Sequence, residues 1–219
     1  MLFRSATYRG VVFRHNRFRN VGKTGSEGAV HGQAAIRFDD AISGMLVYGN
    51  LFVRSSNGNF GAIQMNSGRD NIMDNNLFVD CARGISGGWN PGNSVWRMLR
   101  ENLNQPGFFT NELYLARYPE IATMLDEPAV NRAWRNVFVQ CGAMTTGNAA
   151  NLDLFQNVTF DADPGFLGPD DYRLKPDSPV FRQIGFRPLP LEEIGLYEHP
   201  LRATWPVDTT PVPIRDWRK

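Results

Sequence analysis

A short text recurs along this chain, and it limits what the chain can fold into more than any other feature. Residues 12–20 (VFRHNRFRN), 46–54 (LVYGNLFVR) and 72–80 (IMDNNLFVD) share one frame: an apolar pair, two spacers, an asparagine, any residue, then a phenylalanine. The frame returns at residues 133–139 and more loosely at 154–160. A second text precedes it, at 35–40 (AIRFDD) and 62–66 (AIQMN). Asn50 to Asn76 is a step of 26 residues and Ala35 to Ala62 one of 27. A fixed period of this size marks a repeat architecture in which neighbouring copies stack. Each copy holds short alternating runs divided by Gly, Asn and Asp, too short for helices and too closely spaced for strand-helix-strand crossovers. The expectation is a coil of superposed turns, with the recurrent Phe inward. The recurrent Asn is expected at one corner of every turn, where it tolerates the left-handed backbone conformation and bonds to the amide of the next turn.

One stretch breaks the period. Asn76 and Asn136 stand 60 residues apart, and the excess text has apolar residues at helical spacing over 94–100 and 113–125. This predicts a helical insertion at about 90–130, with Pro119 and Glu120 in a first helical turn. Its aromatics (Trp89, Trp96, Phe108, Phe109, Tyr114, Tyr118) line either a plain helical flap or a wall beside a ligand cleft. From Asp161 the text turns Pro-rich and irregular. Residues 1–161 are therefore expected to form the coil and its insertion, and 162–219 a cap over the last turn with an extended tail.

The texts IRFDDAISG, YGN, GRDN and NNLFVDC (within 36–81), with DPGF, YRLKPDSP and IGLY near the end, resemble right-handed parallel β-helix proteins of the pectate-lyase-like kind. The resemblance spans about residues 11–197 and is greatest to bacterial β-helix glycosidases grouped in glycoside hydrolase family 141. It implies an all-β solenoid, a carbohydrate-active function, and a secreted or periplasmic full-length protein. The same repeat carries hydrolases, lyases and tail-spike proteins, so function has to be argued from the site.

Composition removes other classes. The 219 residues carry 23 basic and 22 acidic side chains, so no strong field draws the chain to nucleic acid or to an anionic membrane. No apolar run approaches the ~20 residues of a membrane span. Residues 1–10 lack the pattern of a secretory signal. The first corner asparagine, Asn16, arrives about a dozen residues in. That implies a C-terminal portion of a longer protein, or a chain whose open first turn pairs end-on with another copy. Only Lys23, Lys175 and Lys219 are lysines, so the basic residues are overwhelmingly Arg, suited to bidentate contacts with carboxylates.

With Ile36 and Phe38 inward, Arg37 and Asp39 face out and Asp40 sits at the turn. One turn on, Gln64 falls beside Arg37 and Asn66 beside Asp39, forming a polar wall suited to sugar hydroxyls. Arg69, Arg83 and Trp89 are further candidates for substrate binding. Glycoside hydrolysis needs two carboxyl groups, about 5–5.5 Å apart for retention and 6.5–9.5 Å for inversion. Candidates are Asp39 and Asp40, then Asp70 and Asp80; the resemblance favours the Asp39-Asp40 doublet. Against this, Asp is a common turn residue on purely structural grounds.

A polysaccharide lyase acting on a uronate-containing glycan is the competing reaction, with Arg37, Arg69 or Arg83 as base and Ca²⁺ held by Asp39, Asp40 and Asp70. The absence of Lys between Lys23 and Lys175 counts against it. A non-catalytic carbohydrate-binding or structural β-helix is the third class. The partner in every case is a poly- or oligosaccharide. No cofactor is required by the hydrolase, and His15, His31 and His199 have no metal-ligand spacing. His31 and Glu27 sit in a Gly-rich loop. Cys81 and Cys141 each lie five residues after a frame asparagine, which makes them vertical neighbours, within reach of a disulfide or side by side as thiols.

Overall fold

A computed structural model describes residues 9–21, 33–57, 59–90, 92–103, 112–119, 130–147 and 152–195. Sixteen short strands run through it: β1 (Val12–Arg14), β2 (Arg17–Arg19), β3 (Gln33–Ala34), β4 (Ile36–Phe38), β5 (Leu46–Tyr48), β6 (Leu51–Val53), β7 (Ser56–Asn57), β8 (Ile63–Asn66), β9 (Ile72–Asp74), β10 (Leu77–Val79), β11 (Ile85–Gly88), β12 (Asn131–Trp134), β13 (Val137–Val139), β14 (Thr145–Thr146), β15 (Leu152–Phe155) and β16 (Val158–Phe160). Three sheets are wholly parallel, ordered β1-β5-β9-β12-β15, β2-β6-β10-β13-β16 and β4-β8-β11-β14. The pair β3-β7 is antiparallel. Successive strands visit the first, second and third sheet in turn, so residues one period apart become in-register neighbours: Phe18, Phe52, Phe78 and Phe138 share one row.

That row is the spine of the interior. The four rings stack at centroid distances of 5.0, 4.8 and 4.6 Å with planes within 9° of parallel. Phe52 and Phe78 are fully buried among Ile36, Phe38, Val47, Met65, Met73 and Ile85. An asparagine ladder runs beside it. The side-chain amides of Asn16, Asn50, Asn76 and Asn136 each donate to the Oδ1 of the next, ending at Asn157, over 2.9 to 3.0 Å. Each backbone N–H donates to the same Oδ1. The left-handed residue at this corner is the one before the ladder asparagine and not the asparagine itself: His15, Gly49, Asn75, Arg135 and Gln156 have φ between 47° and 62°. The reversal needs one left-handed residue, and the asparagine after it is left free to aim inward.

In the second sheet the middle strands β6 and β10 read Leu-Phe-Val and β13 reads Val-Phe-Val, and all three are buried at every position because both faces are covered. Phe52 and Phe78 point into the core between the sheets. Leu51, Val53, Leu77, Val79, Val137 and Val139 pack outward against Phe166, Tyr172, Val180, Ile184, Phe186 and Leu189. The irregular segment after β16 thus lies along the outer face of the second sheet, where the sequence places it over the last turn. It reaches back to the first turn, with Arg19 bonded to Asp170 at 2.9 Å and Arg17 above the Tyr172 ring at 5.7 Å. Apolar outward positions in three successive strands demand such a cover. Its helix α3 (Pro179–Ile184) is capped by Ser178 and closed by left-handed Gly185.

The insertion contributes α1 (Ser94–Leu103) and α2 (Glu112–Arg117). α2 ends two residues before Pro119, so the described helix does not start at Pro119; the remainder of the expected second helix, 120–125, lies outside the described residues, as do His31, Glu27, Phe108, Phe109, Tyr197 and the 200–219 tail. No described helix is long and apolar enough to cross a membrane.

Candidate functional site

The third sheet turns one wall outward. Arg37 on β4, Gln64 on β8, Ser86 on β11 and Thr146 on β14 form one register column. Ile36 and Phe38 are buried while Arg37 between them is exposed, as strand alternation requires. Beyond the strand ends the wall continues as a linked polar chain. Arg37 pairs with Asp39 Oδ2 at 2.8 Å, Asn66 Nδ2 donates to Asp39 Oδ1 at 2.8 Å, and Asn93 Nδ2 donates to Asn66 Oδ1 at 3.1 Å. Ser86 Oγ donates to Gln64 Oε1 and accepts from the Gly61 N–H at 2.6 Å. The Arg37 guanidinium lies 5.1 Å over the Phe60 ring. Arg37 and Asp39 side chains remain 48% and 42% exposed, so the pair is organised and still wet. Next in the Asp39-Asn66 column stands Gly88, which adds no side chain to the wall.

Beside Gly88, Gly87 pairs with the core residue Met65 and permits a close approach of the two strands. At φ 77° it is left-handed, and a Cβ there would fall 1.9 Å from the Met65 carbonyl oxygen and 3.0 Å from Gln64 Nε2. Only a residue without a side chain fits.

Asp40 is exposed at the turn that leaves this wall, with φ 49°. Arg69 and Asp70 lie at the corresponding corner one turn on. Asp70 is held twice, by Arg9 at 2.9 Å and by Arg69 Nε at 3.1 Å. Asp39, Asp40, Asn66, Arg69 and Asp70 therefore share the corner that follows the third sheet. Asp80 and Arg83 do not. They precede β11, whose length alone spans about 10 Å, so Asp80 cannot flank a bond with Asp39 at glycosidase spacing. Asp80 is a left-handed corner residue with φ 52°, 3.8 Å from the Arg54 guanidinium.

Trp89 is buried at 5% exposure. It meets Trp96 edge-on at 4.5 Å, and the Arg69 guanidinium sits 6.0 Å above it. Trp96 is fully buried and donates to the Ser67 carbonyl at 2.8 Å. These two rings fasten the insertion to the corner and offer no open face, so Trp89 acts as a prop where the sequence proposes a ligand contact. Asn93 caps α1 through the Val95 N–H at 2.9 Å while its amide reaches Asn66. It ties the helix to the wall. Asn before an apolar-periodic run is a helix-start signal, and that signal was the available route to Asn93. Phe60, Ser86 and Thr146 were equally unmarked; Ser86 follows from carrying the Gln64 register up one turn.

Among the described residues no group of three or more His, Cys, Asp or Glu is placed to hold a metal ion. Cys81 and Cys141 are free thiols and neighbours: Gly142 donates to the Cys81 carbonyl at 3.0 Å. The hydrogen bond with Cys81, then burial, hold the Cys141 thiol well above its ordinary value. Comparison with known proteins finds no matching family model, no matching curated protein and no matching solved structure.

Proposed function

We propose that the chain is a right-handed parallel β-helix that acts on carbohydrate, with the outer wall of the third sheet as its glycan site and glycoside hydrolysis as its reaction. The handedness rests on the near-universal right-handed sense of parallel crossovers. The observation that carries the glycan reading is the linked, partly exposed chain Arg37-Asp39-Asn66-Asn93. Planar amides, a carboxylate and a guanidinium, preset by one another and partly exposed, match the alternating donors and acceptors of sugar hydroxyls. Within that wall Asp39 and Asp40 would supply the carboxyl groups, Asp39 with its orientation fixed by Arg37 and Asn66, Asp40 free at the turn.

The test is release of reducing ends from a panel of polysaccharides by the wild type, Asp39→Asn and Asp40→Asn. Hydrolysis lost in both variants, with unchanged circular dichroism, supports the reading; full rates in both reject this pair. A product absorbing in the ultraviolet identifies a lyase instead. A second reading, a binding surface without turnover, is favoured by one observation: Asp39 and Asp70 are each already paired with arginine. It is recognised by gel retardation on polysaccharide without reducing-end release.

A further inference from the structure

The first sheet has an outer face that neither core absorbs. Its strands align Arg14, Tyr48, Asp74, Trp134 and Phe155 in one column and Val12, Leu46, Ile72, Arg132 and Asp153 in the other. Tyr48, Trp134 and Phe155 belong to neither hydrophobic cluster, and Phe155 is 55% exposed. The second sheet, with Leu and Val at the outward positions of its middle strands, is covered by the chain's own segment; the first carries rings and charges in one outward column and Val12, Leu46, Ile72, Arg132 and Asp153 in the other.

The arrangement is preset. Arg135 Nε and Nη2 fork the Asp74 carboxylate at 2.9 and 2.5 Å. Arg135 occupies the left-handed corner with φ 47°, a position that Gly49 fills without strain two registers down the column and that does not itself call for arginine. The Trp134 ring is fixed by its Nε1–H donating to Asp153 at 3.2 Å and by the Arg132 guanidinium 5.7 Å away. Phe155 stands edge-on to it at 6.5 Å. Along the stack the column thus reads ring, polar fork, ring, ring, at the strand spacing of about 4.8 Å.

We propose that this face is a second carbohydrate-binding surface, which takes a neutral polysaccharide laid along the stacking direction across Tyr48, the Asp74-Arg135 fork, Trp134 and Phe155. Aromatic rings offer flat apolar platforms to sugar faces, while the Arg135 guanidinium, partly exposed and held by the buried Asp74, meets hydroxyls between them. The face is close to charge balance, with Arg14, Arg132 and Arg135 against Asp74 and Asp153, so no field selects a polyanion. The proposal rests on the carbohydrate reading of the chain but uses none of the third-sheet residues.

The experiment is affinity electrophoresis of the full chain in gels containing hydroxyethylcellulose, glucomannan or laminarin, with wild type, Phe155→Ala, Trp134→Leu and Arg37→Ala, each checked by thermal midpoint. Phe155 is exposed enough that its truncation leaves folding intact even if the Trp134 variant fails to fold. The expected result is retardation of the wild type on at least one neutral polysaccharide, weakened roughly three- to tenfold by Phe155→Ala. Weakening by Phe155→Ala but not by Arg37→Ala upholds the second surface and removes the third-sheet site. Weakening by Arg37→Ala alone overturns the second surface and leaves that site standing. No retardation of the wild type overturns both; if it is accompanied by self-association that Phe155→Ala abolishes, the face is a protein interface.

Discussion

Replacing Asn76 by alanine tests the stacked turns at their most loaded point. Asn76 Oδ1 accepts from the Asn50 side-chain amide and from the Asn50 N–H, and its Nδ2 donates to Asn136 Oδ1 and to the Val47 carbonyl at 2.9 Å. The residue is fully buried, so water cannot replace these partners. Several of them keep a second bond. The Asn50 amide still reaches the Phe13 and Tyr48 carbonyls, and Asn136 Oδ1 still accepts from the Asn76 N–H. The groups stranded are the Asn50 N–H and one acceptor site on the Val47 carbonyl. At about 1–3 kcal/mol for each buried group left unsatisfied, the cost is about 2–6 kcal/mol. That is a large fraction of the ~5–15 kcal/mol of a typical domain. Asn157→Ala, at the partly exposed end of the ladder, loses its bonds where water can enter and costs about 1 kcal/mol. Urea denaturation followed by circular dichroism measures both. A cost for Asn76→Ala no greater than for Asn157→Ala refutes the ladder as a stabilising element.

Three further outcomes follow from the same packing. Phe78→Ala removes the middle of the ring stack and costs about 3–5 kcal/mol in urea denaturation, whereas Phe155→Ala leaves the midpoint nearly unchanged. Gly87→Ala places a methyl against the Met65 carbonyl in a left-handed residue, so it lowers the thermal midpoint and reduces glycan retardation together. The raised Cys141 thiol keeps its proton in the folded state above pH 9.0, the ordinary value, while the unfolded chain releases it. Its stabilising effect is whole below that pH and is lost as pH climbs through the higher folded value, so the alkaline fall in urea midpoint flattens in Cys141→Ser.

Much of the stack was legible because a 26-residue period fixes register without reference to tertiary contacts. Phe52 and Phe78 could be placed inward, and Gln64 beside Arg37, by counting alone. The left-handed corner residue is not legible, because His15, Gly49, Asn75, Arg135 and Gln156 share no chemistry; only backbone geometry unites them. The path of residues 163–195 was illegible for the opposite reason. Irregular, Pro-rich text has no period, and what decides its place is the apolar outer side of Leu51, Leu77 and Val137. The burial of Trp89 is illegible because aromatic content does not reveal which ring a neighbouring helix covers. The ring-and-fork column of the first sheet went unread because Tyr48, Asp74 and Trp134 sit at spacer positions of the frame, where no pattern repeats.

A structure of the chain with a bound oligosaccharide decides most directly whether the third-sheet wall is a glycan site. Sugar hydroxyls within hydrogen-bond distance of Arg37, Asp39 and Asn66, beside Gly88, are the predicted result. A ligand seated anywhere else, with that polar chain undisturbed and in solvent, contradicts it.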